Sequence, residues 1–434
     1  MLMPTTSQHR GGSWPCEPGS GRGRRHGTSS TEPFDRWFRY PAGFASDYVS
    51  LMLDQLELPK GAWVGDCFAG SGVTGTAALA RGFNFAGVEA HPLIAELAGL
   101  KLAAGASPEQ IRDLAEEIKS AALPAPTQEV LDAETALVQR SFSPDVLGTL
   151  LGIRNLVQRS AHPARLYLKW ALLASLRDVA QVKVGWPYQR PGVVRRPRYT
   201  DPRARVVARA EQMAADLESR LWEDVEARII TGDSRLGRTW AELPQELDAC
   251  VASPPYLNNF DYADATRLEL YFWGHVRTWS DMCERVRSDM LTATTQQSTV
   301  AEQTTAVEHL ELLASPASQR ILERVTAVRA EQAKRSRPKE YDRVIPAYFV
   351  AMHQILDNLL AHLRPGGAAI WLVGDSAPYG IHVDTPALIA QLAQDAGFDL
   401  INDVHLRDRG ARWASNADRH NVSLSERIIV LRRP

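Results

Sequence analysis

The chain has 434 residues, 44% hydrophobic and 23% charged, which is enough to bury a large core and too long for one small domain. Its 49 Lys and Arg against 51 Asp and Glu leave a formal net charge of −2, so bulk charge neither requires nor excludes a nucleic-acid partner. Four scattered cysteines, Cys16, Cys67, Cys250 and Cys283, form no CxxC pair, which argues against a disulfide framework or a zinc site and for reduced, cytoplasmic thiols.

Residues 1–33 combine Gly, Ser, Thr and Pro with Arg10, Arg22, Arg24 and Arg25, a composition that predicts a disordered tail rather than a signal peptide. No apolar run reads as a membrane span. Structured density of aromatic and apolar residues starts at Phe34, and residues 34–434 are expected to form one α/β domain with insertions at about 93–225 and about 275–340. In "YPAGFASDYVSLMLDQLEL" the apolar spacing after Pro41 predicts a helix. Next come an apolar strand at Ala62 to Val64, a Gly-rich turn, a helix of small residues from Gly72 to Arg81, and a strand from Phe83 to Glu89. Together these make a β-α-β unit.

Residues from about 93 to 225 read mostly as helices, with one conspicuous break. Between Lys183 and Arg209 lie eight Lys or Arg against one Asp, together with Trp186, Tyr188 and Tyr199. Strands return in "ARIITGD" and "LDACVASPPY". The polar stretch from about 280 to 340 reads as helical or loosely ordered, and then helix "AYFVAMHQILDNLLAHL", strand "AAIWLVGD", helix "TPALIAQLAQDAGF" and strand "ERIIVLRR" close the series. Helices alternating with short β-rich runs predict a Rossmann-like α/β fold, with a mostly parallel sheet covered on both faces.

Chemistry gathers at the ends of the strands. In "DCFAGSGVTG", Gly70 and Gly72 permit a tight turn and close approach of a ligand, but neither the dinucleotide fingerprint nor the P-loop pattern is present. Asp66 ends the first strand, where a carboxylate suits an ammonium group. Glu89 ends the second, where an acid can accept from both hydroxyls of a ribose, and Asp233 follows a third. Three acids and a glycine turn at such positions point to a nucleoside carrying a cationic amino-acid tail.

Ser253-Pro254-Pro255-Tyr256 ends a fourth strand. An exocyclic amino group on a nucleobase is a poor nucleophile, because its lone pair is delocalised into the ring. Acceptors such as the Ser253 hydroxyl and the Pro254 carbonyl, aimed at its N–H bonds, favour a tetrahedral nitrogen poised for attack. The prolines stiffen the loop, and Tyr256 offers a flat face on which an extruded base can stack.

The two motifs together resemble the S-adenosylmethionine-dependent amino-methyltransferases that act on DNA, and "SPPY" is similar to the form found in cytosine-N4 enzymes. The resemblance runs from about Tyr40 onward. It implies S-adenosyl-L-methionine as cofactor, held by Asp66, Phe68, Gly70, Ser71, Gly72, Glu89 and Asp233, and catalysis at Ser253, Pro254, Pro255 and Tyr256. It implies DNA as partner, in a restriction-modification setting that leaves room for a companion restriction or defence component. Cys67 and His91 depart from the family's usual prolyl and asparaginyl neighbours, and Cys67 reads as core filler rather than a nucleophile. For DNA contact the first candidates are Lys183, Arg190, Arg195, Arg196 and Arg198, because phosphates need Lys or Arg and unpaired bases stack on aromatics. Rival readings are adenine-N6 methylation on the same scaffold, methylation of a structured RNA, and a catalytically silent relative that only binds DNA.

Overall fold

The computed structural model describes residues 31–40, 46–103, 105–182, 194–220, 222, 224–244, 246–258, 261–295, 300–409 and 422–434. Seven strands form one sheet: β1 (Trp63–Asp66), β2 (Asn84–Glu89), β3 (Ala227–Thr231), β4 (Leu247–Ala252), β5 (Leu363–Gly374), β6 (Asp399–Arg409) and β7 (Leu424–Arg432), in the order β3-β2-β1-β4-β5-β7-β6. The first five run parallel, while β7 is antiparallel to both β5 and β6. This is a Rossmann-like α/β fold. β6 was not anticipated: register shifts at Leu400/Asn402 and His405/Arg407 break its two-residue alternation, and its charged side chains read as loop.

The chain leaves β1, turns outward through β2 and β3, and comes back to the other side of β1 as β4. The order reverses between β1 and β4, and beyond the carboxyl ends of such a pair an open α/β sheet forms its ligand crevice. The helix α1 (Ser46–Asp54) lies before β1 in the chain. Helix α2 (Val73–Leu79) follows β1 and is buried throughout, and its small residues let it sit close to the sheet. A Cβ on Gly75 would lie 2.7 Å from Leu102 and 2.9 Å from Phe85. Helix α3 (Pro92–Leu102) starts with a proline in its first turn, where the missing N–H costs nothing.

Between β2 and β3 the expected helices are present, including Pro108–Ser120, Pro144–Arg159, Arg165–Val179 and Pro202–Glu218. Arg165–Val179 is buried nearly all round, and Tyr167 and Trp170 on it pack edge-on against Trp37 and Phe38. Each fully buried large apolar side chain contributes about 1.5–3 kcal/mol before the cost of ordering it. Asp216 fixes the N-terminal segment to this cluster by accepting from Phe34 N at 2.9 Å and Trp37 Nε1 at 2.8 Å, and it pairs with Arg36. The helix Tyr341–His362 is long and apolar enough to cross a membrane by length and composition. Here it is core: Val344, Tyr348, Phe349, Met352 and Leu356 pack with Trp371 of β5.

Candidate active site

The turn after β1 and the turn after β4 open onto one cavity of roughly 800 Å³, a volume that includes its open mouth. Phe68, Gly70, Ser71, Glu89, Asp233 and Ser253 all line it, and so does Pro255. Strand pairing brings these about, because β1 lies between β2 and β4 and their carboxyl ends point the same way.

Glu89 is 8% exposed, and both its oxygens are held from the backbone: Gly70 N donates to one and His91 N to the other, each at 2.7 Å. Burial pushes its carboxyl up to about 7, against the pull of those two donors. Gly70 sits at φ 52, a left-handed conformation that favours glycine, so the turn can bend around the carboxylate. Ser71 is 1% exposed, and its Oγ is buried with no hydrogen-bond partner. Such an orphaned hydroxyl beside a cavity invites a polar ligand group. Behind the turn, the fully buried Lys101 donates to the Ser71 carbonyl at 2.8 Å, and burial draws its ammonium down to about 8.

Two of the expected cofactor residues stand behind the cavity wall. Asp66 does not line this cavity: Phe68 N donates to one oxygen at 2.9 Å and the Thr74 hydroxyl to the other at 2.6 Å, so its carboxylate is spent on bracing the turn. Gly72 does not line it either, and stands instead where a Cβ would meet Ala98 of α3 at 3.2 Å, with φ 82. Asp233 does line the cavity, but as half of an ion pair with Arg235 at 2.7 Å.

At the end of β4, Ser253 Oγ donates to the Leu372 carbonyl at 3.2 Å, which uses its only proton and leaves the oxygen as an acceptor, with the Tyr256 side chain within hydrogen-bonding reach of it. Pro254 is buried and Pro255 faces the cavity. The Tyr256 ring is partly buried and packs beside Gly374 at the end of β5 rather than along the cavity wall, while its backbone N donates to the Tyr262 hydroxyl at 3.0 Å. Burial pushes its phenol well above the usual range, so it stays neutral. Cys67 is buried beside Cys250, which pushes its thiol well up and keeps it from acting as a nucleophile. Among the described residues no His, Cys, Asp and Glu group could hold a metal ion.

Of the basic segment, Lys183 and Arg190 lie outside the described residues, with Trp186 and Tyr188. Arg195, Arg196 and Arg198 are exposed. Arg195 also donates to the Arg177 carbonyl at 2.9 Å, and Arg198 lies 5.6 Å from the centre of the Tyr199 ring.

No protein-family model matches the chain. It is similar to Type II methyltransferase M.BsoBI of Geobacillus stearothermophilus, 21% identical over 94% of this chain and 87% of the relative. It is also similar to Type II methyltransferase M.AvaI of Nostoc sp. (strain PCC 7120), 20% identical over 86% of this chain and 80% of the relative. The solved structure of TrmN from Thermus thermophilus aligns with 90% of this chain at 11% identity and a TM-score of 0.30, and the chain spans about half the length of that protein, 49%. Fold and relatives support an S-adenosylmethionine-dependent methyltransferase. The cavity also draws on residues the sequence did not mark. Tyr40 stands across from Gly70, Tyr262 supports the turn after β4, and Asp289, Met290 and Leu291 add a wall from far along the chain. Tyr262 had a signal in its place six residues after Tyr256, whereas the last three carry none.

Proposed function

We propose that this methyltransferase acts on specific sites in DNA and transfers the methyl group of S-adenosylmethionine to the exocyclic N4 of cytosine. The observation that carries the reading is the meeting of the Gly70–Ser71 turn and the Ser253–Pro255 turn in one cavity at the reversal of strand order. The relatives M.BsoBI and M.AvaI are Type II methyltransferases.

The cofactor supplies an electrophilic methyl group on a sulfonium centre. Glu89 would accept from the ribose hydroxyls, the orphaned Ser71 hydroxyl and the Gly70 turn would receive the amino-acid tail, and Phe68 would pack beside it. Asp233, balanced by Arg235, would meet the adenine end. Ser253 Oγ and the Pro254 carbonyl would accept from the target amino group, drawing its lone pair out of conjugation as the N–C bond forms and the sulfonium leaves as a neutral thioether. The proton lost from nitrogen passes to solvent, and Tyr256 gives the extruded base a ring to stack on. The exposed Arg195, Arg196 and Arg198 would meet phosphates.

Single-molecule sequencing of DNA from cells expressing the chain tests the reading. Modified cytosine at a repeated sequence supports it. Modified adenine instead favours the N6 rival, and unmodified DNA rejects both.

A further inference from the structure

Tyr256 leaves β4, yet its ring is held by residues of the three strands beyond. Gly374 of β5 has no Cβ, and a Cβ there would come within 2.9 Å of Cδ2 and Cε2 of the ring. Over the ring lies Arg409, the last residue of β6, with its guanidinium carbon 4.7 Å from the ring centre. That spacing is a cation–π contact and is too close for a base to slip between the two. The guanidinium is anchored on two sides: Nη1 donates to the Asp375 carbonyl at 3.0 Å, and Nε lies 3.5 Å from Oε1 of Glu426 on β7. Glu426 is itself 1% exposed and pairs with Arg407. The Arg409 side chain is only 16% exposed.

A side chain tied to a carbonyl and a buried carboxylate is a fixed support and not a swinging gate. We infer that Arg409 is a positioning residue that closes one face of Tyr256 and holds the ring, so that the opposite face receives the extruded base. The inference rests on the DNA amino-methyltransferase reading and adds a residue to it. Arg409 never touches the base, and acts through Tyr256.

The test is a double-mutant cycle read by single-turnover transfer of labelled methyl from S-adenosylmethionine to unmethylated bacterial genomic DNA, at several DNA concentrations. Arg409→Met keeps the apolar stem and removes the charge. It should raise the DNA concentration for half-maximal rate about three- to thirtyfold and leave the cofactor Kd from calorimetry unchanged. Arg409→Lys should recover part of the loss. In a Tyr256→Ala background Arg409→Met should add less than about twofold, because the ring it supports is gone. Wild-type behaviour of Arg409→Met, an equal loss in the Tyr256→Ala background, or a matching loss of cofactor affinity would each overturn the inference. Absence of transfer to DNA by the wild-type protein would overturn the function reading and this inference with it.

Discussion

Thr74 donates its hydroxyl to the Asp66 carboxylate at 2.6 Å, joining the first turn of α2 to the end of β1 across the glycine turn. The second Asp66 oxygen takes Phe68 N, so this acid shapes the loop from within. Asp66→Ala should therefore weaken cofactor binding indirectly and lower thermal stability together with it. Losing hydrogen bonds to a buried charged group costs about 1.5–3 kcal/mol, and Thr74→Val should lose a smaller share of both. Calorimetry beside thermal melts of the apo proteins checks this. A mutant with lost affinity and an unchanged melting temperature would mean that Asp66 meets the ligand directly.

The cavity's pH response follows from Glu89. Burial raises both Glu89 and Asp66 to about 7, so the folded protein holds protons that the unfolded chain would release near pH 4. Their contribution to apo stability is full below that point and is lost as pH climbs through about 7. Ribose hydroxyls donate best to the ionised carboxylate, so cofactor affinity should run the opposite way and rise between pH 6 and pH 8. Binding should release protons. In Glu89→Gln the rise should flatten to whatever Asp66 contributes, as measured by titration calorimetry in buffers of differing ionisation enthalpy.

Much of the fold was legible because its signals are local. Small residues in "VTGTAAL" announce a helix pressed on a sheet, and each parallel strand before the antiparallel pair is a short apolar run with turn residues behind it. β6 was not legible, since its bulges and charged edge destroy the alternation. At the site, strand-end position alone marked Glu89, Asp233 and Ser253, which do line the cavity. Asp66 stands at a strand end too but behind the cavity wall, because position at a strand end does not say whether a neighbour such as Thr74 engages the carboxylate. Asp289, Met290 and Leu291 reach the cavity only through tertiary packing, which no local pattern encodes.

The turn after β4 separates chemistry from capture. Ser253 gives its proton to Leu372, so Ser253→Ala removes an acceptor that works mainly as nitrogen turns tetrahedral. Its single-turnover rate should fall while the half-saturating concentrations of cofactor and DNA stay close to wild type. Tyr256→Ala should weaken base capture by about 1–3 kcal/mol as well as slow transfer, and Tyr256→Phe should be mild. Equal rates in wild type and Ser253→Ala would mean that the turn is structural.

Exposed Arg195, Arg196 and Arg198 give a separate prediction. Replacing all three with Ala should weaken DNA binding and flatten its salt dependence by up to about three counterions' worth of slope, with cofactor affinity unchanged. Fluorescence anisotropy with labelled duplex DNA across a salt series measures this. An unaltered slope would make the segment a solvated loop.

The most direct measurement is transfer of labelled methyl from S-adenosylmethionine to unmethylated DNA by the purified protein, followed by digestion to nucleosides and separation of the labelled product. The account predicts label in N4-methylcytosine, lost in Ser253→Ala. Label in N6-methyladenine, or in RNA but not DNA, would contradict it.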